Sequence, residues 1–176
     1  MDIQLNKNIS KDNLNKIKKL YHNTFPIDEQ KPFDLIENHD DIELMSIENK
    51  DHFSGFIVLL HYKDITVLDY FVLTDNQQGK GIGSSVLQLL ISHYNNQRLL
   101  IEIENSNLPS HDQKQRIRRK EFYLKNNLVL LPYIVNVLGV DFELLTNHTN
   151  ISYDEYVEVY AHAYSDTIKE DIFLVK

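Results

Sequence analysis

The sequence predicts an α+β fold, of the α/β three-layer kind, in which helices flank a mixed sheet, and three observations favour it. Short segments with alternating apolar residues are separated by tight turns, which is typical of strands. Other segments carry apolar residues three or four positions apart, which is typical of helices. A glycine-rich turn connects one such strand to one such helix. The length of 176 residues suits one compact domain.

The first half of the chain is expected to begin with a short strand at 2–5 and two helices. Ser10 is a plausible N-cap for the first helix, whose apolar stripe runs from Leu14 to Tyr21. Pro26 ends that region, and Pro32 suits the first turn of a short second helix. The short turns that follow predict an antiparallel meander of three strands, at 42–48, 53–62 and 65–73.

The second half alternates further strands with helices. A helix is predicted at 84–94 and a strand at 99–104. Ser110 and Gln113 have the spacing of a capping box, which predicts a helix from 110 to about 125. A turn at Gly139 joins the last predicted hairpin, and the final helix carries a stripe of tyrosines that is typical of core packing; these elements lie at 128–138, 140–145 and 152–164.

Composition and charge argue against several classes of protein. The net charge is −8, and an acidic chain repels nucleic acid unless its charge is segregated. The basic cluster from Lys114 to Lys120 is typical of a solvated helix face. The sequence has no cysteine and no His-Glu-x-x-His spacing, so no metal is expected. No segment is typical of a membrane helix or a signal peptide, which favours a cytoplasmic protein without a membrane partner.

The glycine-rich turn is the strongest functional signal. Three of the five glycines lie at 79, 81 and 83, between an apolar strand and a helix. Glycine permits positive φ, and the amides and dipole at a helix start favour an anion, so this turn predicts a phosphate cradle. A Walker loop would need Ser or Thr where Gly81 stands, and a dinucleotide fingerprint would need Gly in place of Ser84. A glycine-rich turn without a ligand is the alternative.

The segment Gln78-x-x-Gly81-x-Gly83, after a strand that ends Phe71-Val72-Leu73, resembles motif A of the GNAT acetyltransferases. The resemblance covers residues 2–145 and includes a downstream strand with Glu102, a following Asn107, and a helix segment with Phe122-Tyr123. Asn127 and Leu128 depart from the glycine and aromatic residue of the family pattern, but Asn also tolerates left-handed φ at a helix end. Residues 1–150 are expected to form the acetyltransferase domain, and 151–176 a helical extension packed on it.

The resemblance implies a split, largely antiparallel sheet and acetyl-CoA as co-substrate. The pantetheine arm would pair with the strand that ends at Leu73, and the pyrophosphate would lie on the amides from Gly79 to Ser84. The predicted cofactor-binding residues are therefore Phe71, Val72, Leu73, Gln78, Gly79, Lys80, Gly81, Ile82, Gly83, Ser84 and Asn107.

Direct acyl transfer to an amine needs a base for the protonated amine and an acid for the leaving thiolate. Glu102 and Glu104 alternate onto one strand face, Asp69 on the neighbouring strand is a third candidate, and the resemblance favours Glu102. Tyr123 is the best candidate acid because a phenol can donate to the thiolate, and Phe122 would then be the structural member of the pair. Solvent-facing glutamates and an ordinary helix tyrosine are the alternatives.

The leading hypothesis is an enzyme that acetylates a primary amine of a small molecule or peptide by direct transfer. The alternative is a non-catalytic acyl-CoA-binding regulatory module. A third hypothesis, a regulator that contacts nucleic acid or an acidic partner through the basic cluster, is disfavoured by the net charge. The loop at 24–40 and the last hairpin would select the acceptor, which the sequence does not identify. The resemblance is compatible with a homodimer.

Overall fold

The structure is a computed structural model that describes residues 2–27, 30–147 and 150–175. Its helices and strands follow one another in nearly the predicted order. They are β1 (Ile3–Asn6), α1 (Lys11–Thr24), α2 (Phe33–Asn38), β2 (Ile42–Asn49), β3 (His52–Tyr62), β4 (Ile65–Leu73), α3 (Ile82–His93), β5 (Arg98–Glu104), α4 (Gln113–Lys125), β6 (Val129–Val137), β7 (Val140–Thr146), α5 (Tyr153–Ala163) and β8 (Ile172–Leu174).

The strands form a sheet in the order β1-β2-β3-β4-β5-β7-β6-β8. Antiparallel pairing joins β1 to β2, β2 to β3, β5 to β7, β6 to β7, and β6 to β8. The predicted α+β fold, with a largely antiparallel sheet and flanking helices, is confirmed.

The chain divides into two compact units, of which unit 1 comprises Met1–Leu60 and Leu68–Leu90. Its core contains Ile17 and Tyr21 from α1, which are fully buried, as is Phe56 on β3. The Tyr21 hydroxyl lies 3.2 Å from the Tyr70 hydroxyl and accepts a 2.7 Å bond from the amide of Lys31. Unit 1 therefore fixes the α1–α2 connection against β4, the strand that leads into the glycine turn.

Unit 2 comprises His61–Val67 and Ile91–Lys176. Its core combines apolar residues of β5 and β7 with α5, where Tyr156 is fully buried and Tyr160 is 2% exposed. Arg98 at the start of β5 bonds Asp64 and Glu155, each at 2.8 Å. Glu155 also completes a capping box with Ser152, so the start of α5 is tied to the start of β5.

Several local predictions are confirmed. The Ser10 side chain accepts a bond from the Asn13 amide and caps α1. Asn127 has φ +66°, the left-handed conformation expected at the end of α4. The last hairpin turns at Leu138 and Gly139, which both have positive φ.

The predicted capping box at Ser110 is wrong. Helix α4 begins at Gln113 with Asp112 as its N-cap, and no side chain bonds the cap amides. The Ser110 hydroxyl instead donates to the Asp112 carboxylate at 2.5 Å, and Arg116 reaches the same oxygen at 3.0 Å. The Gln113 side chain donates to the Ser106 carbonyl at 3.4 Å, so both side chains of the predicted box have other partners.

Three of the elements in the described ranges were not predicted from the sequence. A short 3-10 helix, Asp75–Gln77, separates β4 from the glycine turn, and α3 then begins at Ile82, two residues before the predicted start. After α5 a second 3-10 helix, Asp166–Asp171, leads into β8 at the sheet edge. The apolar run that ends the sequence is the signal that predicts this last strand. Within the described ranges, no helix is long and apolar enough to cross a membrane.

Candidate active site

The glycine turn of unit 1 has the backbone conformation that the sequence predicts. Gly79 and Gly81 have φ of +71° and +80°, in the left-handed region that favours glycine. A Cβ on Gly79 would meet nothing within 4 Å, so backbone conformation rather than space requires glycine there. The residues from Gln78 to Gly81 are all exposed. The turn is therefore open to a ligand on its outer side.

The start of α3 supplies the amides that an anion needs. The first bond of this helix runs from the Ser85 amide to the Gly81 carbonyl at 3.1 Å. An α-helix provides no intrahelical acceptor for the amides before that point, those of Ile82, Gly83 and Ser84. The first turn of α3 carries no acidic residue, and the exposed Lys80 precedes it. These features together favour a phosphate group at the helix start.

The Gln78 side chain lies against the end of β4. Its amide nitrogen donates to the Leu73 carbonyl at 3.2 Å and lies 3.5 Å from the Asp75 carboxylate. This contact closes the turn between β4 and α3. Gln78 is thus bonded to the strand end that is predicted to pair with pantetheine, and its own part in cofactor binding stays a prediction.

Gly55 on β3 is a residue that the sequence reasoning missed. It has φ +156°, and a Cβ at this position would lie 2.0 Å from the Val72 carbonyl oxygen and 3.0 Å from the Leu73 Cα. Only glycine therefore lets β3 approach β4 at the segment predicted to pair with pantetheine. An isolated glycine inside an apolar strand is the signal that indicates such a close approach.

Glu102 lies half-buried on β5 in unit 2. Its Oε1 atom accepts a 2.7 Å bond from the Tyr156 hydroxyl and a 2.6 Å bond from the Tyr160 hydroxyl. The tyrosine rings are buried, so the prediction of core packing on α5 is confirmed. The contact of their hydroxyls with Glu102 was not predicted. The spacing of four residues, which places both tyrosines on one helix face, is the only local signal for it.

The other two candidate bases are ion-paired. Glu104 bonds Arg119 at 2.5 Å and lies 3.8 Å from Arg116. The Asp69 side chain is 5% exposed, and both of its oxygens bond the Lys31 ammonium, at 2.6 and 2.7 Å. Glu102 differs from both in its bonds from two phenol hydroxyls. Its role as the base stays a prediction.

Tyr123 is buried on α4, with 6% of its surface exposed, whereas Phe122 is half-buried. Phe122, expected to be the structural member of the pair, is therefore the less buried of the two. Burial raises the pKa of the Tyr123 phenol to about 12, and the nearby Arg119 charge offsets part of this rise. Within the described part of the chain its hydroxyl has no hydrogen-bond partner. Tyr123 is therefore protonated at neutral pH, as a proton donor must be.

The loop after β5 is anchored on Glu143, a buried carboxylate of β7. Glu143 accepts bonds from the Ser106 amide and hydroxyl at 3.1 and 2.6 Å, and from Lys120 at 2.5 Å. Burial alone would raise the pKa of Glu143, but the bonds from Lys120 and Ser106 outweigh it and hold the pKa below its ordinary value. The exposed Asn107 donates its side-chain amide to Glu143 at 3.3 Å. The predicted contact of Asn107 with the cofactor would therefore have to use atoms other than its side-chain amide nitrogen.

The basic cluster on α4 is largely neutralised by nearby carboxylates. Three of its members form ion pairs with Glu104, Asp112 or Glu143: Arg116, Arg119 and Lys120. This arrangement supports the solvated-face interpretation over a nucleic-acid surface. Among the residues that the structure describes, no group of three His, Asp or Glu side chains is placed to hold a metal ion.

Comparisons with known proteins identify the family. The model of the "Acetyltransferase (GNAT) family" matches residues 14–113, which is more than half of the chain. A comparison with curated protein sequences finds no match.

Solved structures share the fold at low sequence identity. An acetyltransferase of the GNAT family from Bacteroides thetaiotaomicron has a TM-score of 0.74 at 15% identity, over 94% of this chain and 99% of its own. A spermidine N-acetyltransferase chimera from Vibrio cholerae and hSSAT has a TM-score of 0.64 at 13% identity, over 83% and 95%. An aminoglycoside 6'-N-acetyltransferase complexed with coenzyme A has a TM-score of 0.64 at 16% identity, over 86% and 98%.

The resemblance read from the glycine turn and the strand that follows α3 is thus confirmed by the family model, which spans both. The match also confirms the predicted enzyme class, an acetyltransferase. From the match over residues 14–113 we conclude that the chain belongs to the GNAT acetyltransferase family.

Proposed function

We propose that this protein transfers the acetyl group of acetyl-CoA directly to a primary amine of a small molecule or peptide. The observation that carries the proposal is the open turn from Gln78 to Gly81 followed at once by the start of α3. Its amides and the helix dipole suit the pyrophosphate of coenzyme A. A solved structure of the same fold contains coenzyme A, which supports this choice of ligand.

In the proposed reaction Glu102 is the general base. The N–H bond of the acceptor ammonium breaks and its proton passes to the Glu102 carboxylate, which frees the nitrogen lone pair. The amine attacks the thioester carbonyl, whose oxygen takes a hydrogen bond from a strand amide, with Leu73 as the candidate donor. Collapse of the tetrahedral intermediate breaks the carbon–sulfur bond and expels the coenzyme A thiolate, while the attacking nitrogen releases its second proton to solvent. Tyr123, protonated at neutral pH, is the candidate that gives a proton to the thiolate, and solvent then reprotonates the phenol.

A cationic amine is the proposed acceptor class. The net charge of −8 favours the approach of cations. Two structures of the same fold carry names of enzymes that act on such amines, spermidine and an aminoglycoside. The loop at 24–40 is predicted to select the acceptor. The structure describes this loop except at residues 28 and 29.

The test is a panel of amines that includes polyamines, aminoglycosides, amino acids and peptide N-termini, with release of free thiol from acetyl-CoA as the readout. We expect thiol release that depends on at least one amine, with the acetylated product visible by mass spectrometry. Binding of acetyl-CoA without turnover for any amine would instead support the non-catalytic module.

The base is tested in the same assay with a matched pair of variants. Glu102→Gln should lower turnover by about two to four orders of magnitude with little change in acetyl-CoA affinity. Glu104→Gln, two residues along the same strand, removes an ion-paired carboxylate and should leave most of the turnover. A larger turnover loss in Glu104→Gln than in Glu102→Gln would transfer the role of base to Glu104, and equal losses would contradict the assignment of Glu102 as the sole base.

A further inference from the structure

The C-terminal helix α5 lies outside the residues matched by the family model, yet it contributes two groups to the proposed catalytic carboxylate. Tyr156 and Tyr160 both donate their hydroxyl protons to Oε1 of Glu102, at 2.7 and 2.6 Å. Two donors on one carboxylate oxygen restrict the rotation of the carboxylate. They therefore also define the direction in which Oε2 points. The two tyrosines lie 54 and 58 positions after Glu102 in the sequence, so it is the tertiary structure that brings them into contact.

The two hydroxyls are held rigidly. The rings of Tyr156 and Tyr160 are 0% and 2% exposed, and their centroids lie 5.2 Å apart. The helix that carries them is fixed at its start by the capping box of Ser152 and by the 2.8 Å bond from Arg98 to Glu155. Buried rings pack closely in rotamer minima, so both hydroxyls keep defined positions next to the carboxylate.

We propose that Tyr156 and Tyr160 are positioning residues, which hold the Glu102 carboxylate ionised and oriented toward the acceptor amine. The proposal rests on the proposed role of Glu102 as base. Hydrogen bonds from two phenols favour the charged carboxylate, and a fixed carboxylate needs no reorganisation before it takes the proton. The tyrosine stripe of α5 thereby has a function besides core packing.

Several charged groups on β5, β7 and α5 have ion-pair partners of their own. On β5, Arg98 bonds Asp64 and Glu155, and Glu104 bonds Arg119. The strand residue opposite Glu102 on β7 is the apolar Leu144, and its neighbour Glu143 bonds Lys120. On α5, Glu158 bonds Lys169. A Tyr→Phe substitution leaves each of these ion pairs in place, so its effect on Glu102 reports the lost hydroxyl.

The test is the titration of the Glu102 carboxyl by 13C NMR in protein labelled at the glutamate carboxyl carbon, with the Glu102→Gln spectrum as the assignment. Removal of one donor to a carboxylate should raise the titration midpoint by about one pH unit in Tyr156→Phe or Tyr160→Phe, and by more in the double variant. Tyr153→Phe is the matched control, since this tyrosine lies on the same helix and its hydroxyl bonds the Ile172 carbonyl at 2.7 Å. Its midpoint should equal that of the wild type.

A second readout links the contact to catalysis. With an acceptor from the amine panel, the acid limb of kcat should move to higher pH in Tyr156→Phe and Tyr160→Phe but not in Tyr153→Phe. An unchanged Glu102 midpoint in all three variants would overturn the proposal and leave the tyrosines as core residues only. If the midpoint moves but Glu102→Gln retains full turnover, Glu102 is not the base and the positioning role fails with it, although acetyl transfer itself stands.

Discussion

At the scale of single residues, the three candidate carboxylates differ in the groups that bond them. Glu104 and Asp69 are bonded to cations, whereas Glu102 is bonded to two phenols. The pattern of alternating glutamates identified the candidates, because strand residues two apart share a face. Arg119, the partner of Glu104, lies on α4 and is 15 residues away, and Lys31, the partner of Asp69, lies in the α1–α2 connection and is 38 residues away. Sequence spacing carries no information about such contacts. The preference for Glu102 came from the family resemblance, and its role as base stays a prediction.

The Tyr123→Phe substitution tests the proposed acid. The ring stays in its buried site and only the hydroxyl is lost, which has no hydrogen-bond partner among the residues described. Thermal stability and acetyl-CoA affinity should therefore remain near the wild-type values. Turnover should fall by up to about two orders of magnitude, less than for a poor leaving group because a thiolate departs readily.

Steady-state kinetics and a thermal melt of the same preparation check this prediction. Phe122→Leu is the control, since it changes the neighbouring and more exposed ring. A Tyr123→Phe protein that melts far below the wild type, with normal turnover per folded molecule, would identify Tyr123 as a core residue without a role in proton transfer.

At the scale of elements, the close approach of β3 to β4 depends on Gly55. A Cβ at this position would lie 2.0 Å from the Val72 carbonyl oxygen, and a shift of the backbone to relieve this clash would destabilise the folded state. Gly55→Ala should lower the free energy of unfolding by more than about 1 kcal/mol. Gly139→Ala is the matched control, because Gly139 also has positive φ but a Cβ there would meet nothing within 4 Å.

Urea denaturation of the two variants measures the difference. The larger loss is expected for Gly55→Ala, which carries a steric term as well as backbone strain. Equal losses would mean that β3 and β4 can separate at this point without cost, and that the shape of the strand end does not depend on Gly55.

The start of α5 should be sensitive to acid. Bonds from Arg98 and from the Ser152 amide lower the pKa of Glu155 to about 2. Because this pKa lies below the value of about 4.3 in an unfolded chain, the stabilisation is present above that pH and is lost as pH falls toward 2. The Glu155 side chain is 40% exposed, so solvent screening limits the contribution to about 1 kcal/mol.

Unfolding free energies at pH 6 and pH 3 check this prediction. Glu155→Gln should reduce the stability at pH 6 more than at pH 3, and the two proteins should converge in acid. The same difference between wild type and variant at both pH values would show that the Glu155 contacts do not stabilise the folded state through their charge.

Elements were easier to predict than their ends. The periodicity of apolar residues within a segment predicted the helices and the meander, because each of these depends on residues that are neighbours in sequence. The start of α4 was misplaced because Ser110 bonds Asp112 rather than the helix amides. The strand β8 was missed because an edge strand of three residues depends on pairing with β6, far back in the chain.

At the scale of the whole molecule, the fold was predicted and the substrate was not. The glycine turn, the strand with Glu102 and the helix with Tyr123 are local patterns, and together they indicated the GNAT family that the family model confirms. Proteins of one fold differ in substrate because the site residues, and not the fold, determine which substrate is bound. The low identities to solved structures, between 13% and 16% for the three compared above, are consistent with such divergence.

The measurement that tests the central claim most directly is a calorimetric titration with acetyl-CoA, because it needs no knowledge of the acceptor. The wild type should bind one equivalent and gain thermal stability with the ligand, whereas NAD and ATP should give neither effect. Gly83→Val should remain folded and lose the binding, since the added side chain would obstruct the phosphate at the start of α3. A wild-type protein that gives no binding heat and no thermal shift with saturating acetyl-CoA would contradict the account.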